Sequence, residues 1–328
     1  MNANSVAMLT ALNQALDHAM ASDDAVLVLG EDVADREEGG VIGVTRGLST
    51  KYGDKRVRST PISEQAIIGA AIGASLVGYK PVAEIMMMNF TPIAMDMIFN
   101  HASKLRFMSG GQTNVPLTIR TMTGSGMQLG GQHGDYLEAW FAHMPGLKVV
   151  LPSTPTDAYG LLLSCIDDPD PCLFIENTAS YGMMGTAPEA GRRVPLGKAK
   201  IVREGSDVTV ISYSRMVHEA AAAAQSLEDE GISVEVLDLR TISPWDRETV
   251  IASARKTGRV LIVHEAVRTF GVGAEIAAEV NEVLFGALKS PVQRLGSASC
   301  PVPFSKVLED AYTPDRESIK SAIKHLFK

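Results

Sequence analysis

Residues 59–86 read STPISEQAIIGAAIGASLVGYKPVAEIM, a polar turn followed by a long apolar run and an aliphatic segment. The run Glu64–Val77 has the length of a helix, and Val82–Met86 has the composition of a buried strand. A helix that leads into an aliphatic strand is typical of a parallel sheet covered by helices. Because the run is apolar on every side, we expect a helix that is buried all round. Three glycines in or just after it should let another backbone approach closely: Gly69, Gly73 and Gly78.

The same alternation continues through the 328 residues. Other strand candidates are Ala25–Leu29, Leu117–Arg120, Lys148–Leu151, Cys172–Glu176, Val208–Ser212, Ser233–Asp238, Val260–His264 and Val292–Leu295. Other helix candidates are Ser5–Met20, Thr91–Met108, Thr156–Cys165, Val217–Glu230 and Ala274–Leu288. Several strands are almost wholly apolar, as strands covered on both faces must be. Glycine and proline accumulate near 182–197, so we predict two doubly wound α/β domains, 1–185 and 199–328, joined by a linker at 186–198.

Composition and charge argue against nucleic-acid binding and against a membrane-spanning protein. The 30 basic and 38 acidic residues give a formal net charge of −8, and no basic block suggests a nucleic-acid partner. No apolar run reaches the ~18 residues of a spanning helix, and no Lys or Arg precedes Arg36, as a leader peptide would require. The three cysteines form no CxxC pair. We therefore expect a cytoplasmic protein with neither membrane nor nucleic acid as partner.

Glu64 is the first candidate for chemistry. Ser63 is placed to cap the helix that Glu64 begins, and a carboxylate in a first turn often serves only to complement the helix dipole. The alternative is a carboxyl group held at the mouth of a buried helix, where low polarity raises its affinity for a proton. Such a group could protonate a nitrogen atom of a cofactor.

A second candidate is the segment GSGMQLGGQHGD, which begins at Gly124 and contains His133. Five glycines in eleven residues fit either a flexible surface loop or a catalytic loop that delivers an imidazole. The spacing matches neither GxGxxG nor the phosphate-binding GxxxxGK[ST]. The other six histidines have no metal-ligand spacing, so we predict no metal site formed by this chain.

A third candidate is the segment from Ile85 to Phe90, IMMMNF, at the end of a predicted strand. Its methionines suit core packing, which is one interpretation. The other is that a planar cofactor ring stacks against Phe90.

Taken together, these segments resemble the beta subunit of the thiamine-diphosphate-dependent decarboxylating component of 2-oxo acid dehydrogenase complexes, a family related to transketolase. The similarity runs nearly end to end, through LGEDVA, KYGDKRV, TPISEQ, NFTPIAMD, HMPGLKVVLPSTPTDAYGLLLSCIDDPDPCLFIEN, VLDLRTISPWD and LIVHEA. The resemblance implies an N-terminal pyrimidine-binding domain and a smaller transketolase C-terminal-like domain.

The resemblance also implies roles for individual residues. Glu64 matches the acid that hydrogen-bonds the aminopyrimidine ring of thiamine diphosphate and promotes activation of the cofactor. Phe90 matches the aromatic residue beside that ring, and Glu31 matches an acid in a polar passage between paired active sites. His133 matches the histidine that assists acyl transfer to a lipoyl group.

The partners follow from the same resemblance. The chain lacks the GDG…NN signature that binds Mg²⁺ and the diphosphate, which in this family the alpha subunit supplies. We therefore expect an alpha2beta2 heterotetramer, an inactive isolated beta chain, and a lipoyl-bearing acyltransferase or carrier domain as a further partner. Some members bind a monovalent cation near the segment that matches Cys165–Asp170, and the sequence leaves this open.

One departure from the family bears on the substrate. The usual His-Ser-Gln reads His133-Gly134-Asp135 here, so a negative charge replaces an amide. An Asp135 that faces the substrate should repel a 2-oxo acid and favour a ketose or an acetoin-like ketol, while an Asp135 that faces solvent should do neither.

The favoured function is thus cleavage of the bond next to a carbonyl, with transfer of the acyl or hydroxyalkyl unit to a lipoyl group. Two alternatives stay open: a transketolase-like two-carbon transfer from a ketose or ketol, and a non-catalytic scaffold subunit. Retention of Glu64 and His133 argues against the scaffold. A nicotinamide-dependent dehydrogenase is set aside because LGEDVAD follows the first predicted strand where GxGxxG would be needed.

Overall fold

A computed structural model describes residues 5–328, which form two compact units. The first contains the described chain up to Thr123 together with Trp140–Leu196. The second contains Gly124–Ala139 together with Gly197–Lys328. The segment Gly124–Ala139, which carries His133, thus clusters with the C-terminal part of the chain, although we expected it in the domain 1–185.

The described chain up to residue 186 forms short strands and helices in alternation. They are β1 (Ser5–Ala7), α1 (Met8–Ser22), β2 (Val26–Gly30), α2 (Leu48–Tyr52), β3 (Val57–Ser59), α3 (Glu64–Leu76), β4 (Lys80–Met87), α4 (Leu105–Met108), β5 (Thr118–Thr123), α5 (Glu138–Ala142), β6 (Lys148–Val150), α6 (Pro155–Asp167), β7 (Cys172–Asn177) and β8 (Met184–Thr186). Every strand predicted in this part is present, with ends shifted by at most three residues. The predicted helix Thr91–Met108 is instead three short helical segments, Met88–Ala94, Met97–Ala102 and α4. Pro92 lies inside the first, where its ring prevents a regular α-helix.

The main sheet of the first unit contains six strands of that unit in the order β6-β7-β5-β4-β2-β3, and every neighbouring pair is parallel. Helices α1 and α6 pack against each other, and α3 packs on β4. The core of this unit joins residues of α1 and α6 to the inner strands, among them Leu12, Leu16, Val28, Val82 and Leu162. The predicted α/β fold with parallel sheets is confirmed.

Helix α3 begins at Glu64, as predicted, but it is buried on one side only. Its buried residues are Glu64, Ile67, Ile68, Ala71, Ile72 and Ser75. Its exposed residues are Gln65, Ala66, Ala70, Gly73 and Leu76. The expectation of a helix buried all round is therefore wrong for the single chain, because elements within residues 5–328 cover only the other face.

Within residues 5–328, no other backbone lies close to Gly69, Gly73 or Gly78. A Cβ on Gly69 would meet only the side chain of Met97, at 3.5 Å. No described atom lies within 4 Å of a Cβ built on Gly73 or Gly78. The approach of another backbone to these glycines stays a prediction that concerns a partner chain, while Gly78 is needed for its φ of +97° after the helix ends.

A buried ion pair network joins three strands of this sheet. The guanidinium of Arg120, only 2% exposed, donates two hydrogen bonds to Glu176 (2.7 and 2.9 Å) and one to Glu84 (2.7 Å). The Tyr181 hydroxyl donates to the same Glu176 carboxylate at 2.7 Å. Burial alone would lower the pKa of Arg120, but the charges of Glu176 and Glu84 outweigh it and raise that pKa. Burial raises the pKa of Glu84 against the opposing charge of Arg120.

The rest of the chain forms β9 (Lys200–Arg203), β10 (Val208–Ser212), α7 (Met216–Glu228), β11 (Val234–Asp238), β12 (Thr241–Ser243), α8 (Arg247–Thr257), β13 (Val260–Val267), α9 (Val272–Leu284), β14 (Gln293–Ser297), α10 (Lys306–Tyr312) and α11 (Arg316–His325). Its sheet has the order β14-β13-β10-β11-β9, parallel except for β9 at one edge. Apolar residues of α7 and α11 pack with those of β10, β11 and β13 to form the core of this unit. None of the helices within residues 5–328 combines the length and the apolarity needed to cross a membrane.

Replacing Arg120 with Met should destabilise the first unit, because the carboxylates of Glu84 and Glu176 would lose their buried counter-ion. Breaking a buried pair of this kind costs about 3–5 kcal/mol. The measurement is the free energy of unfolding from urea titration, followed by circular dichroism. The matched control is Arg106→Met, which removes an ion pair to Asp170 in which Arg106 is half-exposed and should cost at most about 1 kcal/mol. Equal losses for the two variants would contradict this account.

Candidate functional site

Glu31 and Glu64 lie at the same edge of the main sheet of the first unit. Glu31 directly follows β2, and Glu64 begins α3 after the short turn that follows β3. Because the carboxyl ends of parallel strands meet at one edge of a sheet, this is where α/β proteins form their ligand sites. Both glutamates are only 6% exposed.

The two carboxyl groups are close enough to affect each other. Burial raises the pKa of Glu31 first, and the charge of Glu64 raises it further. The backbone N–H of Ser63 donates a hydrogen bond to the Glu31 carboxylate and partly opposes this shift. The Oε1 atom of Glu31 is buried and has no hydrogen-bond partner among the described residues. A donor from outside this chain would therefore satisfy it, since buried polar atoms are seldom left unpaired.

Ser63 does not cap α3 in the way that the sequence indicates. It occupies the N-cap position, but its side chain accepts no hydrogen bond from the first turn. Its main contribution is the backbone N–H that it donates to Glu31. The cap position was thus predicted correctly and its interaction wrongly.

Gly30 sets the position of Glu31, and this is a feature that the sequence did not reveal. A Cβ on Gly30 would lie 2.7 Å from the Glu84 carbonyl oxygen and 2.9 Å from the Glu84 Cβ, closer than atoms can approach. Only glycine therefore lets the end of β2 lie this close to β4. Arg120 binds the side chain of Glu84, and Glu84 packs against Gly30. The ion pair network of Arg120 therefore also supports the turn that carries Glu31.

Phe90 follows β4 in the helical segment Met88–Ala94 and is half-buried. The strand that precedes it is the neighbour of β2 in the sheet, so the sheet order brings Phe90 to the same edge as Glu31. Met88 beside it is fully buried, which confirms core packing as the role of that methionine.

His133 and Asp135 belong to the second unit, where both are half-buried. The backbone N–H of His133 donates to the Gly130 carbonyl at 3.3 Å. Asp135 faces Tyr312: burial is the main cause that raises the pKa of Tyr312 to about 12, and the charge of Asp135 adds to it. Gly134 between them is buried, and a Cβ there would lie 3.3–3.4 Å from the Gly130 and Gly124 carbonyl oxygens and from Val302. A serine at 134 would thus require its neighbours to move by a few tenths of an ångström.

Two buried glutamates anchor the beginning of the segment Gly124–Ala139. Ser125 donates to Glu265 through its backbone N–H (2.7 Å) and through its hydroxyl (2.9 Å). The backbone N–H groups of Gly126 and Gln128 donate to Glu309 at 2.7 and 3.1 Å. These hydrogen bonds favour a positioned loop over the flexible loop that the glycines also allowed.

Glu138 at the end of the same segment is a residue that the sequence reasoning missed. Its carboxyl group is fully buried and accepts a hydrogen bond from the Tyr213 hydroxyl at 2.5 Å. Burial raises its pKa to about 7, against the opposing hydrogen bond from Tyr213. The aromatic pair Trp140-Phe141 two residues later could have indicated that Glu138 is buried. The sequence does not show that its partner is Tyr213.

The histidines, cysteines and carboxylates of residues 5–328 include no group of three arranged to hold a metal ion. Cys165 and Cys172 are buried and free, and Cys300 is exposed and free.

The family comparisons match both units. The model described as "Transketolase, pyrimidine binding domain" matches residues 4–183, and that described as "Transketolase, C-terminal domain" matches residues 197–319. In fold, the chain is similar to a solved structure titled "Split gene transketolase, inactive beta4 tetramer", with a TM-score of 0.79, 23% identity and 98% of each chain covered.

Two full-length relatives are closer in sequence. The Acetoin:2,6-dichlorophenolindophenol oxidoreductase subunit beta of Cupriavidus necator is 44% identical over 99% of this chain and 98% of its own length. The Pyruvate dehydrogenase E1 component subunit beta-1, mitochondrial, of Arabidopsis thaliana is 45% identical over 96% of this chain and 87% of its own length. The resemblance that the sequence motifs indicated is confirmed, and the chain belongs to the family of beta subunits of pyruvate and acetoin dehydrogenases, built from the two transketolase domains.

Proposed function

We propose that this chain is the beta subunit of a thiamine-diphosphate-dependent enzyme that cleaves the bond next to a carbonyl and passes the acyl unit to a lipoyl group. The observation that carries the proposal is the buried pair Glu31 and Glu64 at the carboxyl edge of the first sheet, with one carboxylate oxygen left for a donor from outside the chain. The full-length similarity to pyruvate and acetoin dehydrogenase beta subunits supports it.

The residues at this edge fit an aminopyrimidine ring. Glu64, which is buried, would share a proton with a ring nitrogen: its carboxyl group would donate to the neutral ring, and its carboxylate would accept from the protonated ring. Phe90 would pack on the face of the ring, and Glu31 would accept from a polar group or water nearby. When bound, thiamine diphosphate supplies a nucleophilic carbon that attacks the carbonyl carbon of the substrate.

Binding of the diphosphate and Mg²⁺, and transfer of the acyl unit, involve other chains besides this one. The chain contributes no diphosphate or Mg²⁺ signature, so we assign both groups mainly to an alpha subunit in an alpha2beta2 heterotetramer. His133 would assist transfer of the acyl unit to a lipoyl group on an acyltransferase or carrier domain. We further propose that 1–185 is the pyrimidine-binding domain, 186–198 the linker and 199–328 the C-terminal domain, and that the protein works in the cytoplasm.

A second candidate function is transfer from a ketol or a ketose. Asp135 supports it, because a carboxylate at the position of the usual amide disfavours a 2-oxo acid and can accept hydrogen bonds from hydroxyl groups. Asp135 is half-buried, and its charge contributes to the raised pKa of Tyr312.

Replacing Glu64 with Gln should reduce turnover of the assembled enzyme by about 10²- to 10⁴-fold, the usual contribution of one proton-transferring group. Steady-state kinetics with saturating thiamine diphosphate measures the effect. The matched control is Glu275→Gln, which changes an exposed acid in the first turn of α9. If Glu64 only complements the helix dipole, the two variants should behave alike, each losing at most about 1 kcal/mol of stability and no turnover.

The isolated beta chain should bind thiamine diphosphate at least about 100-fold more weakly than the complex with its alpha partner, a difference of about 2.7 kcal/mol. The physical reason is that the ligands of the charged diphosphate and of Mg²⁺ lie on the other chain. Isothermal titration of both preparations in the presence of Mg²⁺ measures the two affinities. Tight binding and turnover by the beta chain alone would refute the shared site.

Replacing Asp135 with Gln should raise kcat/KM for pyruvate relative to acetoin by about tenfold, because removal of one like charge near the substrate lowers the barrier by about 1.4 kcal/mol. The same preparations should be tested with branched 2-oxo acids and ketose phosphates. Asp135→Glu is the control, since it has the size of the glutamine variant and keeps the charge. An unchanged preference in the glutamine variant would remove Asp135 from substrate selection.

A further inference from the structure

Glu138 occupies an unusual position for a carboxyl group that no proposed step uses. It is fully buried in the second unit, it lies three residues after Asp135, and its Oε1 accepts a hydrogen bond from Tyr213. Its Oε2 atom is also buried and has no hydrogen-bond partner within residues 5–328. No cation forms an ion pair with it among these residues, unlike Glu265, which pairs with Arg215.

The groups around Glu138 make its ionisation unfavourable. Glu265 on β13 adds a like charge, and the neighbouring Arg215 is already engaged by that residue. His264 stacks on Tyr213 at 6.1 Å, and its burial lowers its pKa to about 4, so it is neutral above that pH. The titratable and charged groups that face the Glu138–Tyr213 pair are therefore Tyr136, Arg215, His264 and Glu265.

The same pair closes the C-terminal end of the segment that carries His133. Near it, the hydroxyls of Tyr136 and Ser214 form a hydrogen bond of 3.2 Å. The N-terminal end is held by Glu265 and Glu309. Of the groups that anchor the segment, Glu138 is the one whose burial depends most directly on its being protonated.

We propose that Glu138 is a positioning residue: its protonated carboxyl group, bound to Tyr213, keeps the segment Gly124–Ala139 closed, and its ionisation on exposure to water favours an open segment. The effect on catalysis rests on the function proposed above, because it acts through His133. The opening itself is a property of this chain and does not depend on that function.

The sign of the pH dependence follows from linkage. Burial raises the pKa of Glu138 from 4.5 to about 7 in the closed segment, whereas in an open, hydrated segment it returns to its ordinary value. Between these two values only the open form loses its proton, so opening becomes more favourable as the pH rises and levels off above about pH 7. From pH 5.5 to pH 7.5 the open fraction should rise by about twentyfold.

Hydrogen exchange of the amides of residues 125–137, followed by mass spectrometry on the complex with the alpha subunit, tests this inference. After correction for the intrinsic exchange rates of the unfolded peptide, exchange of these amides in the wild-type protein should increase by about twentyfold from pH 5.5 to pH 7.5 and then level off. Glu138→Gln has no group to ionise and should show no rise. In the same complexes, kcat of the wild-type protein should decrease over the pH range in which exchange rises, because an open segment no longer positions His133, and Glu138→Gln should lack that decrease.

Two further variants separate positioning from a merely structural role. Glu309→Gln weakens the anchor at Gly126 and Gln128, so exchange should increase by one factor at every pH with the pH dependence unchanged. Tyr213→Phe removes the donor to Glu138, which should move the plateau to higher pH, and this result is available even if Glu138→Gln fails to fold.

Two results would overturn the proposal. One is that exchange in Glu138→Gln depends on pH as it does in the wild-type protein, and the other is that the plateau in Tyr213→Phe stays at the wild-type pH. A complex without turnover would refute the proposed function and leave the exchange result in force.

Discussion

The buried guanidinium of Arg120 is the interaction on which the candidate site of the first unit depends. It binds carboxylates from β4 and β7 from its own position on β5, so three neighbouring strands are fixed near their carboxyl ends. One of these carboxylates belongs to Glu84, whose backbone lies so close to Gly30 that no side chain fits there. The close packing of Gly30 on Glu84 therefore fixes the end of β2 and the turn that follows it. This turn places Glu31 near Glu64, although burial and the charge of Glu64 both raise the pKa of Glu31.

Much of this fold is predictable from sequence, for a definite physical reason. Strands covered on both faces must be apolar, and the segments predicted on that ground, such as Val208–Ser212 and Cys172–Glu176, match β10 and β7 within one residue. Glu64 as the first residue of α3 was also predictable, because a polar turn followed by an apolar run marks a helix start. The family was recognisable from the order of many short motifs, which no single local pattern could have established.

What failed were inferences that depend on which other elements cover a surface. An apolar run looks the same in sequence whether its own chain buries it or leaves a face open, as with Ala66 and Ala70 on α3. The same holds for the glycines, since a Cβ built on Gly73 would meet no described atom within 4 Å beyond its own stretch of helix. Partners across sequence distance were also invisible: Arg120 lies 56 residues from Glu176, and Glu138 lies 75 residues from Tyr213. Sequence patterns report local periodicity, whereas these features depend on tertiary pairing.

The two units contain buried carboxyl groups to which different roles are proposed, so the proposed catalytic groups would respond to different variables. In the first unit, Glu31 and Glu64 lie at a sheet edge where one Glu31 oxygen atom has no hydrogen-bond partner within residues 5–328, so water, a ligand or a partner chain would supply the donor. In the second unit, one oxygen atom of Glu138 accepts a hydrogen bond from Tyr213 of the same chain, and under the proposal above the stability of its segment would respond to protons. A cofactor bound at the first unit and a histidine presented by the second would thus be governed by different variables, occupancy in one case and pH in the other. The exposed face of α3, which is mostly apolar, lies in the same unit and is the kind of surface on which another protein surface can pack.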